Sequence, residues 1–163
     1  GKAAHFLEKY DIHLDALEID ASRAKRIEEN FGHLKLKGGH IIIGDASTPK
    51  AWFGGELYDA IIADVPCSAS GIVRRHPDIT YLRQEGDIKN LQVAQRKILT
   101  ALWGLLKPGG KLLYVTCSVF PDEGELQAKW WLNAMPDAVR LKAPGQLLPS
   151  KQHDGFFYAL FEK

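Results

Sequence analysis

The chain holds two cysteines, Cys67 and Cys117. Each stands just past an apolar, strand-like run: Tyr58-Asp59-Ala60-Ile61-Ile62-Ala63 before the first, Lys111-Leu112-Leu113-Tyr114-Val115 before the second. In an α/β sheet the carboxyl ends of strands are where ligands bind and chemistry is done. Two cysteines on two such ends predict one pocket of two thiols. A thiol brings nucleophilic chemistry. The thiolate is the attacking form, and with an ordinary pKa of roughly 8.5 it needs a site that favours the anion. The plain alternative is a small buried hydrophobe, the usual fate of free cysteine. The contexts Pro66-Cys67-Ser68 and Thr116-Cys117-Ser118 favour the chemical reading, because packing alone gives no reason for both.

Acidic residues close the other strand-like runs. Glu18 and Asp20 end the run Leu14 to Ile19, Asp45 follows His40 to Ile43, and Asp64 follows Ala63. A carboxylate at a strand end can accept both hydroxyls of a ribose or the amino group of a base, so three such ends predict an adenosine-type cofactor. Asp20-Ala21-Ser22 opens a helix, which makes Asp20 an N-cap. Glutamate is a poor N-cap, which leaves Glu18 for binding. For Asp45 a turn role and a binding role both stand. Arg74, Arg75 and His76 lie in the loop after the Cys67 strand, where guanidiniums can meet phosphates flanking a target base. The alternative is a solvated basic loop. Trp130, Trp131, Phe156 and Phe157 read as packing residues.

The elements that must position these groups alternate between strand and helix, the pattern of a mainly parallel α/β sheet. Helical spacing runs from Ser22 to about Gly32, from Asp87 to Leu106 and from Glu123 to Met135, with Pro108-Gly109-Gly110 as a stop. Phe156 to Phe161 is a late strand, predicted to be antiparallel. The opening Gly1-Lys2-Ala3-Ala4-His5-Phe6-Leu7-Glu8 looks like a helix entered straight from a glycine turn. A nucleotide-binding α/β domain starts with a strand and a glycine-rich turn, so the chain is expected to begin inside its own first motif.

Composition narrows the class. The chain has 163 residues, 45% hydrophobic and 25% charged, enough for one core. No apolar run reaches the roughly 18 residues of a membrane span. Two cysteines without a CxxC or Cys/His cluster point to a reducing, cytoplasmic setting and to no metal. A net charge of +1 means that any nucleic-acid face is local.

Taken together, Asp64-Val65-Pro66-Cys67-Ser68, Ser70-Gly71, Thr116-Cys117-Ser118 and His153-Asp154-Gly155-Phe156-Phe157 resemble the RNA (cytosine-5) methyltransferases of the Fmu/Sun/RsmB group. Gly1-Lys2 is similar to the tail of that family's Pro-Gly-Gly-Lys cofactor loop. Arg74-Arg75-His76-Pro77-Asp78-Ile79 is similar to a stretch of its bacterial ribosomal-RNA members. The resemblance runs in order from Gly1 to the C-terminus. It implies a Rossmann-like fold using S-adenosylmethionine, with residues 1–163 as one catalytic domain, monomeric by preference, acting on small-subunit (16S) ribosomal RNA. By the same resemblance Gly1, Lys2, Glu18, Asp45 and Asp64 serve the cofactor, Asp64 also standing beside the reacting centre. Cys117 is the nucleophile and Cys67 the cysteine that helps release product. The family's first strand and most of its glycine loop are absent ahead of Gly1, as is its N-terminal RNA-binding region.

Three alternatives bound this reading. An amino-methyltransferase needs no cysteine and presents an Asn/Asp-Pro-Pro-aromatic turn, where this chain has Asp64-Val65-Pro66-Cys67. A non-catalytic nucleotide- or RNA-binding domain would lack selective binding of S-adenosylmethionine. A cytosine-5 DNA methyltransferase would use the Pro-Cys cysteine as nucleophile, and Thr116-Cys117-Ser118 speaks for RNA.

Overall fold

The computed structural model describes residues 2–84 and 86–163. They fall into two compact units, one ending at Gly55 and the other spanning Glu56–Lys163.

The first unit contains α1 (Lys2–Lys9), β1 (Leu14–Glu18), α2 (Ala21–His33) and β2 (Gly39–Ile43). The two strands pair in parallel, from Leu14 opposite Gly39 to Glu18 opposite Ile43. Asp20 caps α2 as its sequence context predicts: Oδ1 accepts the N–H of Ser22 at 2.8 Å and of Arg23 at 3.0 Å. Two of the N–H groups that every helix start leaves over are thereby satisfied. Ala4, Ala16 and Phe31 form the buried centre, flanked by Leu7, Leu14, Ile27, Leu36 and Ile41. Each helix thus contributes one apolar stripe to a shared core.

The second unit contains β3 (Tyr58–Asp64), a one-turn α3 (Ile79–Leu82), α4 (Asp87–Trp103), β4 (Leu106–Thr116), α5 (Glu125–Ala134), β5 (Val139–Leu147) and β6 (Phe156–Glu162). Its sheet runs in the order β3-β4-β6-β5. β3 and β4 are parallel; β6 is antiparallel to β4, and β5 antiparallel to β6. The late antiparallel strand is therefore where the aromatic run predicts it. Leu99 and Leu102 of α4, Trp131 of α5 and Leu112, Tyr114, Phe157 and Phe161 of the sheet are all buried. Each such side chain contributes about 1.5–3 kcal/mol of burial. Trp103 and Trp131 meet edge to face at 5.4 Å, so Trp131 packs, as its helical position predicts. Trp130 carries the Arg96 guanidinium over its ring at 4.6 Å.

One element differs from expectation. Leu106 opens β4 instead of closing the helix. α4 ends at Trp103, and buried Leu106 pairs with Tyr58. Pro108-Gly109-Gly110 is absorbed as an irregularity, the register jumping from Tyr58 opposite Leu106 to Ala60 opposite Lys111. β5, Val-Arg-Leu-Lys-Ala-Pro-Gly-Gln-Leu, carries a proline and a glycine. It survives as a strand because it lies at the sheet edge, where proline and a register shift are tolerated.

Candidate active site

Parallel pairing of β3 and β4 sets Asp64 opposite Val115. Cys67 follows the end of one strand and Cys117 the end of the other. Their Sγ atoms lie 3.4 Å apart, a thiol–thiol contact and not a covalent bond. Both side chains are half-buried. The two thiols expected to share one place at two strand ends are thus in contact.

The serine after each cysteine explains why the motifs are longer than one residue. Ser68 Oγ and Ser118 Oγ are 3.2 Å apart, and Ser70 Oγ lies 3.1 Å from each. Ser70 Oγ also accepts the Val119 N–H at 3.0 Å, and Ser118 Oγ the Phe120 N–H at 3.0 Å. Three hydroxyls, each donor and acceptor, close a triangle that ties the Cys67 loop to the Cys117 loop. Backbone bonds add a third loop: Gly71 N–H donates to the Cys117 carbonyl at 2.9 Å, and Gly155 N–H to the Gly71 carbonyl at 2.8 Å. A Cβ at Gly71 would lie 2.2 Å from the Gly155 oxygen, so only glycine permits this approach. Ala69 takes the left-handed conformation at φ 60°, a strained place for a residue with a side chain. Arg83 closes the loop from outside, its Nε donating to the Ser68 carbonyl at 2.9 Å.

The contact bears on the titration of Cys67. Contact with Cys117 is the largest cause pushing the Cys67 thiol well above the ordinary cysteine range. Burial and the charge of Cys117 act in the same direction, against the pull of two backbone N–H groups. Cys67 is therefore held protonated. Burial also pushes the Tyr114 phenol up, with the charge of Glu123 adding to it.

Other expected site residues sit as follows. Asp64 ends β3 and is exposed. Glu18 ends β1 with its side chain one-fifth exposed; Oε1 accepts the Asp20 N–H at 3.0 Å and lies 3.3 Å from Arg23. Asp45 follows β2, and its Oδ1 accepts the Ser47 N–H at 2.8 Å, a turn bond. Lys2 opens α1 and is exposed; Gly1 lies outside the described residues. Glu18 offers the carboxylate chemistry that ribose hydroxyls require, and Asp45 combines a turn role with a place at a strand end. Both are carboxylates of the first unit, of the kind that accepts the hydroxyls of a ribose or the amino group of a base.

Arg74 and Arg75 have an internal partner that the sequence did not announce. Asp154 is buried, and the Nε of Arg74 donates to its carboxylate while the Nε of Arg75 lies 2.7 Å away. Arg74 Nη1 also donates to the Ser150 carbonyl at 2.5 Å. The basic loop is anchored, not simply solvated, though both arginines keep exposed faces and His76 is exposed. Also unforeseen are Gln95, Glu123 and Gln127, all fully buried. Glu123 lies in Pro121-Asp122-Glu123-Gly124-Glu125, which reads as a charged helix entry, and no local pattern separates it from its acidic neighbours.

A βα unit followed by a mixed sheet, with reactive groups at parallel strand ends, defines the class. The chain has the Rossmann-like α/β fold of S-adenosylmethionine-dependent methyltransferases. It is similar to the crystal structure of PH0851, with 33% identity and TM-score 0.84 over 91% of this chain and 36% of that one. It is also similar to NSun6 from Pyrococcus horikoshii, solved with SFG, with 26% identity and TM-score 0.83 over 100% of this chain and 45% of that one. The chain belongs to the 16S rRNA methyltransferase RsmB/F family, whose model matches residues 1–162. Ribosomal RNA small subunit methyltransferase B of Vibrio cholerae is 46% identical over 100% of this chain. The chain spans 39% of that relative's length. Among the described residues no helix is long and apolar enough to cross a membrane.

Proposed function

We propose that this chain transfers a methyl group from S-adenosylmethionine to carbon 5 of a cytosine in small-subunit ribosomal RNA, with Cys117 as nucleophile and Cys67 assisting release. The observation that carries this reading is the contact of two thiols just past the ends of adjacent parallel strands. Carbon 5 of cytosine is a poor nucleophile. Addition of the Cys117 thiolate to carbon 6 breaks the 5,6 double bond and makes carbon 5 electron-rich, which splits one hard step into two. When bound, S-adenosylmethionine supplies the electrophilic methyl. Loss of the carbon-5 proton then restores the double bond and expels the Cys117 thiolate. Cys67, in contact with that sulfur, assists its departure. Asp64 orients the base by accepting from its amino group or, when protonated, by donating to ring nitrogen 3. Lys2, Glu18, Asp45 and Asp64 are the groups assigned to hold the cofactor. The exposed faces of Arg74, Arg75 and His76 are assigned to RNA phosphates. A base must leave any stacked helix to reach a thiol, so an unpaired cytosine is the expected target.

The test is a denaturing gel of each cysteine variant after incubation with ribosomal RNA and cofactor. Cys117→Ala is expected to abolish methylation and form no adduct. Cys67→Ala is expected to accumulate enzyme joined to RNA through Cys117. An adduct from Cys117→Ala and none from Cys67→Ala would reverse the roles. Full activity of both variants would remove covalent catalysis.

A further inference from the structure

Gln95 of α4 and Glu123, in the 3₁₀ turn Pro121–Glu123, grip the chain on both sides of Cys67. Gln95 Nε2 donates to the carbonyl of Pro66 at 3.0 Å and to Glu123 Oε1 at 3.1 Å. The same Glu123 oxygen accepts the N–H of Ser68 at 2.8 Å. The peptide groups immediately before and after Cys67 are therefore fixed by one amide–carboxylate pair. Both side chains are fully buried.

The pair is also anchored to the strand that leads to Cys117. The Tyr114 hydroxyl lies 3.1 Å from Gln95 Oε1 and 2.8 Å from the Glu123 carbonyl, and Thr116 Oγ1 donates to that carbonyl at 3.2 Å. Gln127 Nε2 donates to Gln95 Oε1 at 2.7 Å. One buried polar cluster thus spans both sulfur-bearing strands.

The cluster costs stability. Glu123 Oε2 is buried without a hydrogen-bond partner, and such groups are rare because desolvation goes uncompensated. Apolar side chains of the same volume would pack between α4, α5 and β4 without that cost. They would leave the Pro66 carbonyl and the Ser68 N–H without these partners, and the turn carrying Cys67 without its anchor.

We propose that Gln95 and Glu123 are positioning residues that hold Cys67 in register with Cys117, and so govern release of the covalent intermediate and not its formation. The link to release rests on the cysteine roles proposed above; the positioning itself does not. The experiment uses the full-length protein with Gln95→Met and Glu123→Leu, which break the grip at near-constant volume, and Glu123→Gln, which keeps an acceptor for Ser68. In the two breaking variants adduct formation in a single turnover is expected to stay near the parent rate. Steady-state turnover is expected to fall on the order of 10- to 100-fold, the usual consequence of misplacing a reacting group by an ångström. Adduct should accumulate on a denaturing gel, and Glu123→Gln should restore turnover. Equal loss of adduct formation and turnover, or no loss of either, would overturn the assignment to release.

A second measurement needs no RNA. In a Cys117→Ala background, the alkylation rate of Cys67 by iodoacetamide is expected to change several-fold on adding Gln95→Met or Glu123→Leu and to stay near the background rate on adding Glu123→Gln. A rate indifferent to Gln95→Met and Glu123→Leu would overturn the positioning. Failure of the cysteine roles appears separately, as absence of adduct from Cys67→Ala, and the alkylation rate still decides whether this pair positions Cys67.

Discussion

Arg74→Ala combined with Arg75→Ala separates an internal duty from an external one. Asp154 is 3% exposed, and both arginine Nε atoms bear on its carboxylate. Removing the partner of a fully buried charge costs about 3–5 kcal/mol. Here the two arginine side chains are 43% and 67% exposed, so water reaches the outer side of each pair. That screening brings the expected loss down to about 2 kcal/mol. The bond from Arg74 to the Ser150 carbonyl adds about 1 kcal/mol. A total of about 3 kcal/mol lowers the folded-to-unfolded ratio roughly 100-fold. Urea unfolding followed by the fluorescence of buried Trp131 is the assay. Adding Asp154→Asn to the double variant removes the stranded charge and is expected to recover about half of the loss. A loss below about 1 kcal/mol with no recovery would refute the buried-clamp reasoning. RNA binding is measured in parallel on variants shown to be folded. If the exposed faces also meet phosphates, the slope of log affinity against log salt flattens by roughly 0.7 per lost contact. An unchanged slope would remove the phosphate role and leave the clamp standing.

Further outcomes follow from the same geometry. Cys117→Ala removes the largest cause of the raised Cys67 pKa, so that pKa falls and the thiolate fraction at mildly alkaline pH rises. Peptide mapping after iodoacetamide treatment should show faster alkylation of Cys67 than in the parent, and equal rates would contradict the assigned cause. Gly71→Ala forces a methyl against the Gly155 carbonyl, and about 3 kcal/mol or more of stability should be lost in urea titration. Asp20→Ala deprives α2 of its cap and should cost about 1 kcal/mol in the same assay. The Arg140 hydrogen bond lowers the pKa of Glu125. Its small stabilisation is present above the ordinary carboxylate range and lost as pH falls below it. Glu125→Gln should therefore flatten the acid limb of a stability-against-pH curve.

Much of the frame is legible without coordinates, because local rules decide it. The run Tyr58 to Ala63 reads as a strand, Asp20-Ala21-Ser22 reads as a helix start, and two cysteines placed past strand ends read as neighbours, which the structure has in contact at 3.4 Å. The two Cys-Ser motifs and the acids at strand ends carry the family and the candidate chemistry. What stayed hidden was set by partners distant along the chain. Nothing near Arg74 and Arg75 announces Asp154, which arrives from the turn before β6. Nothing in Pro121-Asp122-Glu123-Gly124-Glu125 marks Glu123 as the one acid turned inward to hold Ser68. β5, with its proline and glycine, pairs as a strand along β6. Sequence patterns report periodicity, caps and turn chemistry because those act over a few residues. A buried charge, an edge strand and a thiol's protonation depend on what packs against them from far along the chain, and only the tertiary structure decides that.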